Sequence, residues 1–402
     1  MSSTQKKKKI AFLYLLTGIG HFREAYSIAQ KFANYDISYI DPVQESQIYK
    51  HRVIDYFLNI YEKGFRYFTN NLTNVSILQD KPLSTKKNLQ YYIFNLYNLA
   101  FRTVAYAASF FWSFILNLND YDYVISIHPV TTIFAKLNRY FRKGEYEILN
   151  VIPDEVGLSS AKAYAFKDII NFVPSEFVYN LLKNKEKIKE QYLQISGHPL
   201  DPTLYENRVN IHKNILDTIN NEKIHIGLYI GLFGPRHQKK QLIQVIKELI
   251  PHLNENLKIS LISCNHSDYE KNINKLVNKN RSKSKYINRI YVQTHEQLVI
   301  KGHEMMKDIN IMFSRPSELI FYSMGLGIPH IMFNPLGAQE FDMYEYLKIN
   351  AGTKLYKDIK GHLYNYITNI NWLIEQSEKL YSIKYNNNGS DYIKKYVQSL
   401  NR

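Results

Sequence analysis

The chain has 402 residues, 45% of them hydrophobic, enough for two ordinary domain cores because single cores seldom grow past ~250 residues. Its 51 Lys and Arg against 36 Asp and Glu give a formal charge of +15, which fits an anionic partner (membrane lipid, nucleic acid or a phosphorylated substrate) or a merely solvated basic surface. Cys264 is the only cysteine, which excludes an intrachain disulfide and a thiolate metal cluster and points to a reducing compartment.

In chain order, MSSTQKKKKIAFLYLL sets lysines before an apolar run that Thr17-Gly18 cuts short, with no small-residue cleavage site after it. It reads as a first strand rather than a signal peptide. Apolar strands then alternate with helices over residues 9 to 200 and again over 223 to 380, the pattern of parallel sheets covered by helices. In the first half strands are expected at Ile10 to Leu15, Ile37 to Ile40, Val75 to Leu78, Tyr123 to Ile127, Glu147 to Val151, Asn171 to Val173 and Tyr192 to Ser196. In the second half they are expected at His225 to Ile230, Ile259 to Ser263, Ile290 to Val292, Ile309 to Phe313 and Ile328 to Phe333. The break from Ser196 to Pro202 places a hinge near residues 200 to 222, giving domains 1–205 and 206–385 and a last helix in 386–402.

The turn Leu15 to His21 joins a strand to a helix, and Gly18 and Gly20 let a ligand approach the helix start. A dinucleotide site is the rival there, with Asp41 downstream, but Arg23 stands where the third small residue of that fingerprint belongs. Tyr91 to Leu118 carries one charge, Arg102, and many aromatics. Three readings fit it: a buried core helix, a membrane-facing helix or hairpin anchored by Phe110, Phe111 and Trp112, or a span, which needs ~20 consecutive apolar residues. YVISIHPV sets His128 at a strand's carboxyl end, where an imidazole serves either structure or chemistry, and Asp154 follows the next strand on the same face. Ser175-Glu176 reads as a helix N-cap with its dipole complement. His266 reads as structural, since no second ligand stands at metal spacing.

Ile309 to Met343 packs strand, turn, helix, strand and polar loop into one run. Ser314, Arg315 and Pro316 open a helix, with proline near the first helical position, and Gly325 or Gly327 ends it. The helix start beside Arg315 and Ser317 suits a diphosphate. Gln339 and Glu340, in the loop leaving the second strand, suit sugar hydroxyls, because open α/β sheets bind ligands at the carboxyl ends of their strands.

At GIPHIMFNPLGAQE the chain resembles the glycosyltransferase family of monogalactosyldiacylglycerol synthase and the bacterial N-acetylglucosaminyltransferase of the cell-wall lipid precursor: Gly, an apolar residue, Pro, an apolar strand, then Gln-Glu. The resemblance implies a GT-B fold, two Rossmann-like parallel-sheet domains facing across a cleft. It also implies a UDP-sugar donor on the second domain and inverting transfer to an acceptor held by the first. By resemblance His21, after the glycine-containing turn, is the general base, a role that imidazole suits because its unperturbed pKa is ~6.5. His128 is similar to the histidine of a family strand ending in Val-His-Pro, which implies acceptor binding or general base work beside the purely structural reading, with Asp154 orienting the histidine or binding acceptor hydroxyls. The loop Gly231 to His237 matches one that closes over the donor phosphates, with Gly231 in the turn and Arg236 supplying a cation.

Two departures stand out. Ile19 replaces a glycine of the family's first turn, and Tyr322 stands where relatives carry the glutamate that holds the ribose diol, leaving Glu318 one helical turn earlier to reach it or only to complement the helix dipole. Asp120-Tyr121-Asp122 has the spacing of metal-using transferases but precedes a strand in the wrong half, so metal-independent transfer with no cofactor is expected. The function that follows is hexosyl transfer from a UDP-sugar to a membrane lipid such as diacylglycerol, by a cytoplasmic protein peripheral on an anionic membrane. Two alternatives stand beside it: a nucleotide-sugar epimerase on the same fold, and a catalytically degenerate basic membrane-binding protein. Nucleic acid is not an expected partner, because no aromatic-basic recognition motif is present.

Overall fold

The computed structural model describes residues 7–15, 20–48, 103, 105–153, 165–229, 236–264, 270–335, 337–383 and 388–400. They fall into two compact units, one made of Met1–Leu16, Ser27–Gly197 and Asp391–Arg402, the other of Thr17–Tyr26 and His198–Ser390.

The first unit holds six parallel strands, β1 (Lys9–Leu13), β2 (Asp36–Ile40), β3 (Tyr123–Ser126), β4 (Glu147–Val151), β5 (Ile170–Val173) and β6 (Leu193–Ile195), in the order β2-β1-β3-β4-β5-β6. The inner strands are short apolar runs buried almost throughout, as a parallel sheet covered on both faces requires. Its helices are α1 (Gly20–Ala29), whose first residues through Tyr26 group with the other unit, α2 (Pro42–Ile48), α3 (residues 105–115), α4 (Pro129–Arg142) and α5 (Glu176–Asn184). The Asp122 carboxylate accepts from the Lys9 amide at 2.7 Å, which ties together the amino ends of β1 and β3. In the final helix Tyr392 donates to Gln194 at 2.8 Å, and Lys31 pairs with Asp391 at 3.0 Å. The expected strand Val75 to Leu78 lies outside the described residues.

The expectation that Trp112 anchors a membrane is corrected. Trp112 is 3% exposed and packs edge-on against Phe134 at 6.2 Å within the core around Leu118, Val130 and Ile148. Phe110 and Phe111, one residue to either side of the helix's buried face, do point outward. Among the described residues no helix is long and apolar enough to cross a membrane.

The second unit also carries six parallel strands, in the order β12-β11-β10-β7-β8-β9. They are β7 (Ile224–Tyr229), β8 (Leu257–Cys264), β9 (Ile287–Val292), β10 (Ile311–Ser314), β11 (His330–Met332) and β12 (Lys354–Leu355). The helices, in chain order, are α6 (Pro202–Glu206), α7 (Arg208–Asn220), α8 (Arg236–Leu249), α9 (Glu270–Lys279), α10 (His295–Met306), α11 (Leu319–Leu326), α12 (Gly337–Ala351), α13 (Tyr356–Ile359), α14 (Leu363–Ile367), α15 (Ile370–Ser382) and α16 (Gly389–Ser399), the last continuing into the first unit. Strand β12 escapes sequence reading because two residues carry no periodicity. The strand expected over Ile328 to Phe333 shrinks to three residues: Gly327 turns the chain at φ +68°, Ile328 bonds back to Ser323, and Pro329 has no amide to give. Only glycine fits at 327, since a Cβ there would run into the His212 ring, which stacks on Tyr381 at 3.9 Å.

In this sheet the strand order reverses between β7 and β10. Their carboxyl ends therefore flank the crevice in which open α/β sheets take ligands.

Candidate active site

Strand β10 delivers Ser314 to that edge. The Ser314 hydroxyl donates to the Arg315 carbonyl at 2.8 Å, so its 2.8 Å contact with His330 Nε2 is one in which the imidazole is the donor. That leaves His330 Nδ1 as a bare acceptor in a fully buried ring, and burial pushes its pKa down to about 3. The helix expected from Ser314 starts later: α11 begins at Leu319 with Glu318 as N-cap residue, and Pro316 stands in the bend before it. The amides of Ile320 and Phe321 already bond to the Ser317 and Glu318 carbonyls. Fewer N–H groups remain for a ligand than an open helix start offers.

Glu318 is held at the start of α1. Arg23 donates to it at 2.6 Å, and Gly20 lies so close that a Cβ there would sit 2.8 Å from the carboxylate carbon. Glycine at 20 is thus fixed by the close approach of an acid, at the amino end of a helix, where negative charge is favoured. Burial alone would raise the Glu318 pKa, but Arg23 and Arg315 outweigh it and hold the carboxyl ionised. His21 shares this neighbourhood. Burial pulls its pKa down to about 4, with Glu318 opposing and Arg315 reinforcing the shift. A neutral imidazole therefore shares its surroundings with one carboxylate and one guanidinium.

The other cation, Arg315, pairs with Glu340 at 2.8 Å and keeps a third of its side chain exposed. Glu340, on α12, also accepts a long bond from Gln238, whose amide reaches the Asn334 carbonyl at 3.0 Å. Gln241 accepts from the Asn334 amide, so α8 fixes the loop that follows β11. The groups suited to a diphosphate and to sugar hydroxyls thus hold each other.

Tyr322 is withdrawn into the core. Its hydroxyl lies 3.1 Å from His303 Nε2, while His303 Nδ1 lies 3.0 Å from Asp201, and burial keeps His303 neutral despite that carboxylate. Nδ1–H therefore donates to Asp201, and Nε2 accepts from the tyrosine. The Arg23 guanidinium lies 5.9 Å from the centre of the Tyr322 ring. A chain of contacts thus runs Asp201, His303, Tyr322, Arg23, Glu318. Glu318 and Tyr322 were legible in the sequence, but Arg23, Asp201 and His303 escaped it as site residues, since Asp201 and His303 lie 102 positions apart and nothing local marks them. The one available signal was the misfit of Arg23 with the dinucleotide fingerprint.

Gly18, Asp154 and Gly231 lie outside the described residues. Arg236 and Gln339 are placed only as the first residue of α8 and the third of α12. Ser317 is nearly buried and hydrogen-bonds the Glu318 carboxylate. In the first unit His128 caps α4, its Nδ1 accepting from the Val130 amide at 3.2 Å, so a base role would cost that cap. Ser175 caps α5 through the Val178 amide. Among the described residues no cluster of three metal-ligating side chains occurs.

The buried imidazoles predict an acid-labile protein. His330 titrates near 6.5 when unfolded and at about 3 when folded, so its contribution is fully present above pH 6.5 and is lost as pH falls toward 3. Between pH 7 and pH 4 this residue alone should remove on the order of 3 kcal/mol, and His21 should add to the loss. Urea unfolding across that range, with His330→Asn as the variant expected to flatten the slope, measures it.

No protein-family model and no curated protein sequence matches the chain. Among solved structures it is similar to a putative UDP-N-acetylglucosamine 2-epimerase from Listeria monocytogenes (TM-score 0.55, 10% identity, covering 99% of this chain and 97% of that one). It is also similar to the UDP-GlcNAc 2-epimerase from Neisseria meningitidis bound to UDP-GlcNAc (TM-score 0.53, 13% identity, 98% and 100%). A looser match is Anabaena Alr3699/HepE in complex with UDP and glucose (TM-score 0.46, 9% identity, 98% and 99%). At such identities the likeness is one of fold. The chain has the GT-B fold, two parallel α/β units of the Rossmann type.

Proposed function

We propose that this protein transfers a hexose from a UDP-sugar to an acceptor, with inversion and without a metal, and that the acceptor is a membrane lipid at the cytoplasmic face. The observation that carries the donor half is the pairing of Arg315 with Glu340 at the carboxyl edge of the second sheet, beside the neutral His21 and the ionised Glu318. On this reading a diphosphate takes Arg315 from Glu340, and Glu340 turns to sugar hydroxyls along with Gln339. Arg315 and Arg236 then balance the charge that grows on the leaving diphosphate. His21 removes the acceptor hydroxyl proton as the oxygen attacks the anomeric carbon and the bond to the diphosphate breaks. Glu318 stabilises the resulting imidazolium.

Titration with UDP, followed by incubation with a panel of UDP-sugars with and without membrane extract, tests the reading. Expected are saturable UDP binding, weakened at least tenfold in Arg315→Ala, and sugar release that depends on the extract. Conversion of the donor without acceptor would make the protein an epimerase. Absence of UDP binding would make it a degenerate member of the fold, consistent with Tyr322 in place of a ribose-binding glutamate.

A further inference from the structure

Helix α3 carries apolar side chains on both its buried and its outward side. Its buried side carries Ala105 and Trp112 with two satisfied serines: Ser109 donates to the Val130 carbonyl at 3.0 Å and Ser113 to the Ser109 carbonyl at 2.7 Å. Its outward side carries Tyr106, Phe110, Phe111 and Phe114, each between 43% and 54% exposed. A helix with only water on its outward side would carry polar residues there.

The outward rings continue onto α4. Phe110 packs against Phe114 at 4.8 Å and against Phe141 at 5.4 Å, Phe114 lies 5.3 Å from Phe141, and Tyr140, 77% exposed, adjoins Phe141 at 5.2 Å. The platform is rigid: Arg142 donates to the Ser113 carbonyl at 2.9 Å and to the Phe114 carbonyl at 2.5 Å, and Asn138 closes the Leu116 carbonyl at 2.7 Å. The last turn of α4 brings Arg139, Arg142 and Lys143 beside the rings. Among the described residues no carboxylate pairs with these three; Arg139 and Tyr140 also line a shallow groove with Glu145, Glu147 and Asp168, the last of which is taken by Lys136 at 2.6 Å.

The geometry points to this face of the first unit as a docking surface for the interface of an anionic lipid bilayer. Aromatic rings seat at the headgroup level, where an apolar body and a polar edge are both satisfied, and the neighbouring cations meet lipid phosphates. A second copy of the chain fits less well, because a symmetric pairing of this face would bring the same cations together. Membrane docking deepens the proposed transfer by placing the protein on the surface that holds its acceptor, and in that respect rests on it.

Co-sedimentation of the full chain with phosphatidylcholine vesicles, with and without phosphatidylglycerol, tests the proposal. The wild type is expected to bind the anionic vesicles, and Phe114→Ser with Phe141→Ser to bind them at least tenfold less. Arg139→Gln with Lys143→Gln should lose several-fold and show a flatter salt dependence. Circular dichroism guards against unfolding, and Tyr140→Ser, at the most exposed ring, supplies a variant that leaves the core untouched. Wild-type binding in all variants, or no binding by the wild type, would overturn the proposal. A concentration-dependent dimer that the phenylalanine substitutions abolish, with no vesicle binding, would assign the face to a second copy instead. UDP binding without vesicle binding refutes only the docking face, and vesicle binding without UDP binding refutes only the transfer reading.

Discussion

Replacing Arg23 by methionine is expected to destabilise the second unit by ~3–5 kcal/mol, the usual cost of removing one partner from a buried ion pair. Arg23 is 2% exposed and its partner Glu318 keeps 14% of its side chain exposed, pressed against Gly20. Without the guanidinium the carboxylate is left without its nearest counter-charge in a site that water hardly enters. The loss should be largely recovered in the double variant with Glu318→Gln, because the amide needs no counter-charge. Urea unfolding monitored by hydrogen exchange in α11 and α15 measures both. A loss below about 1 kcal/mol would mean that Arg315 takes over the charge of Glu318 and that the pair is not structural.

His21→Ala should lower turnover by ~10²–10⁴, the span usual for loss of a general base, while UDP affinity stays within about twofold. The pH profile is the sharper test. Burial first, and Arg315 second, keep His21 neutral down to about pH 4, so kcat/KM should stay level through pH 5 to 8 and fall only near pH 4. A bound diphosphate neutralises Arg315, which removes one of the causes of the shift, so the limb in kcat should lie at higher pH than that in kcat/KM. A kcat/KM limb at the ordinary histidine value, or wild-type turnover in His21→Ala, would take the base role from this residue.

Much of the fold was legible in the sequence because parallel strands buried on both faces announce themselves as short apolar runs. Tyr123 to Ile127 and Glu147 to Val151 stand as β3 and β4 nearly as drawn, and Ile290 to Val292 is the end of a longer β9. Strand ends were less legible. Ile309 reads as the start of a strand, yet its amide closes the preceding turn on Met305, and the strand begins at Ile311. Helix faces were the other gap. Trp112 and Phe111 are neighbours in an equally aromatic stretch, and only the packing of Phe134 against one of them decides which is core.

Local spacing and backbone freedom are enough to set the alternation of strand and helix, the turn glycines and the presence of Arg315, Glu318 and Glu340 beside strand ends, and all of these can be read along the chain. Which charges meet follows from the folded chain alone. Arg23 and Glu318 are 295 positions apart, and their union, like that of His303 with Asp201, exists because folding brings the start of α1, the loop after β10 and the helices behind it into one low-dielectric site. The same union turned an ordinary histidine into one that stays neutral in mild acid, and a residue out of place in a dinucleotide fingerprint into the anchor of the site.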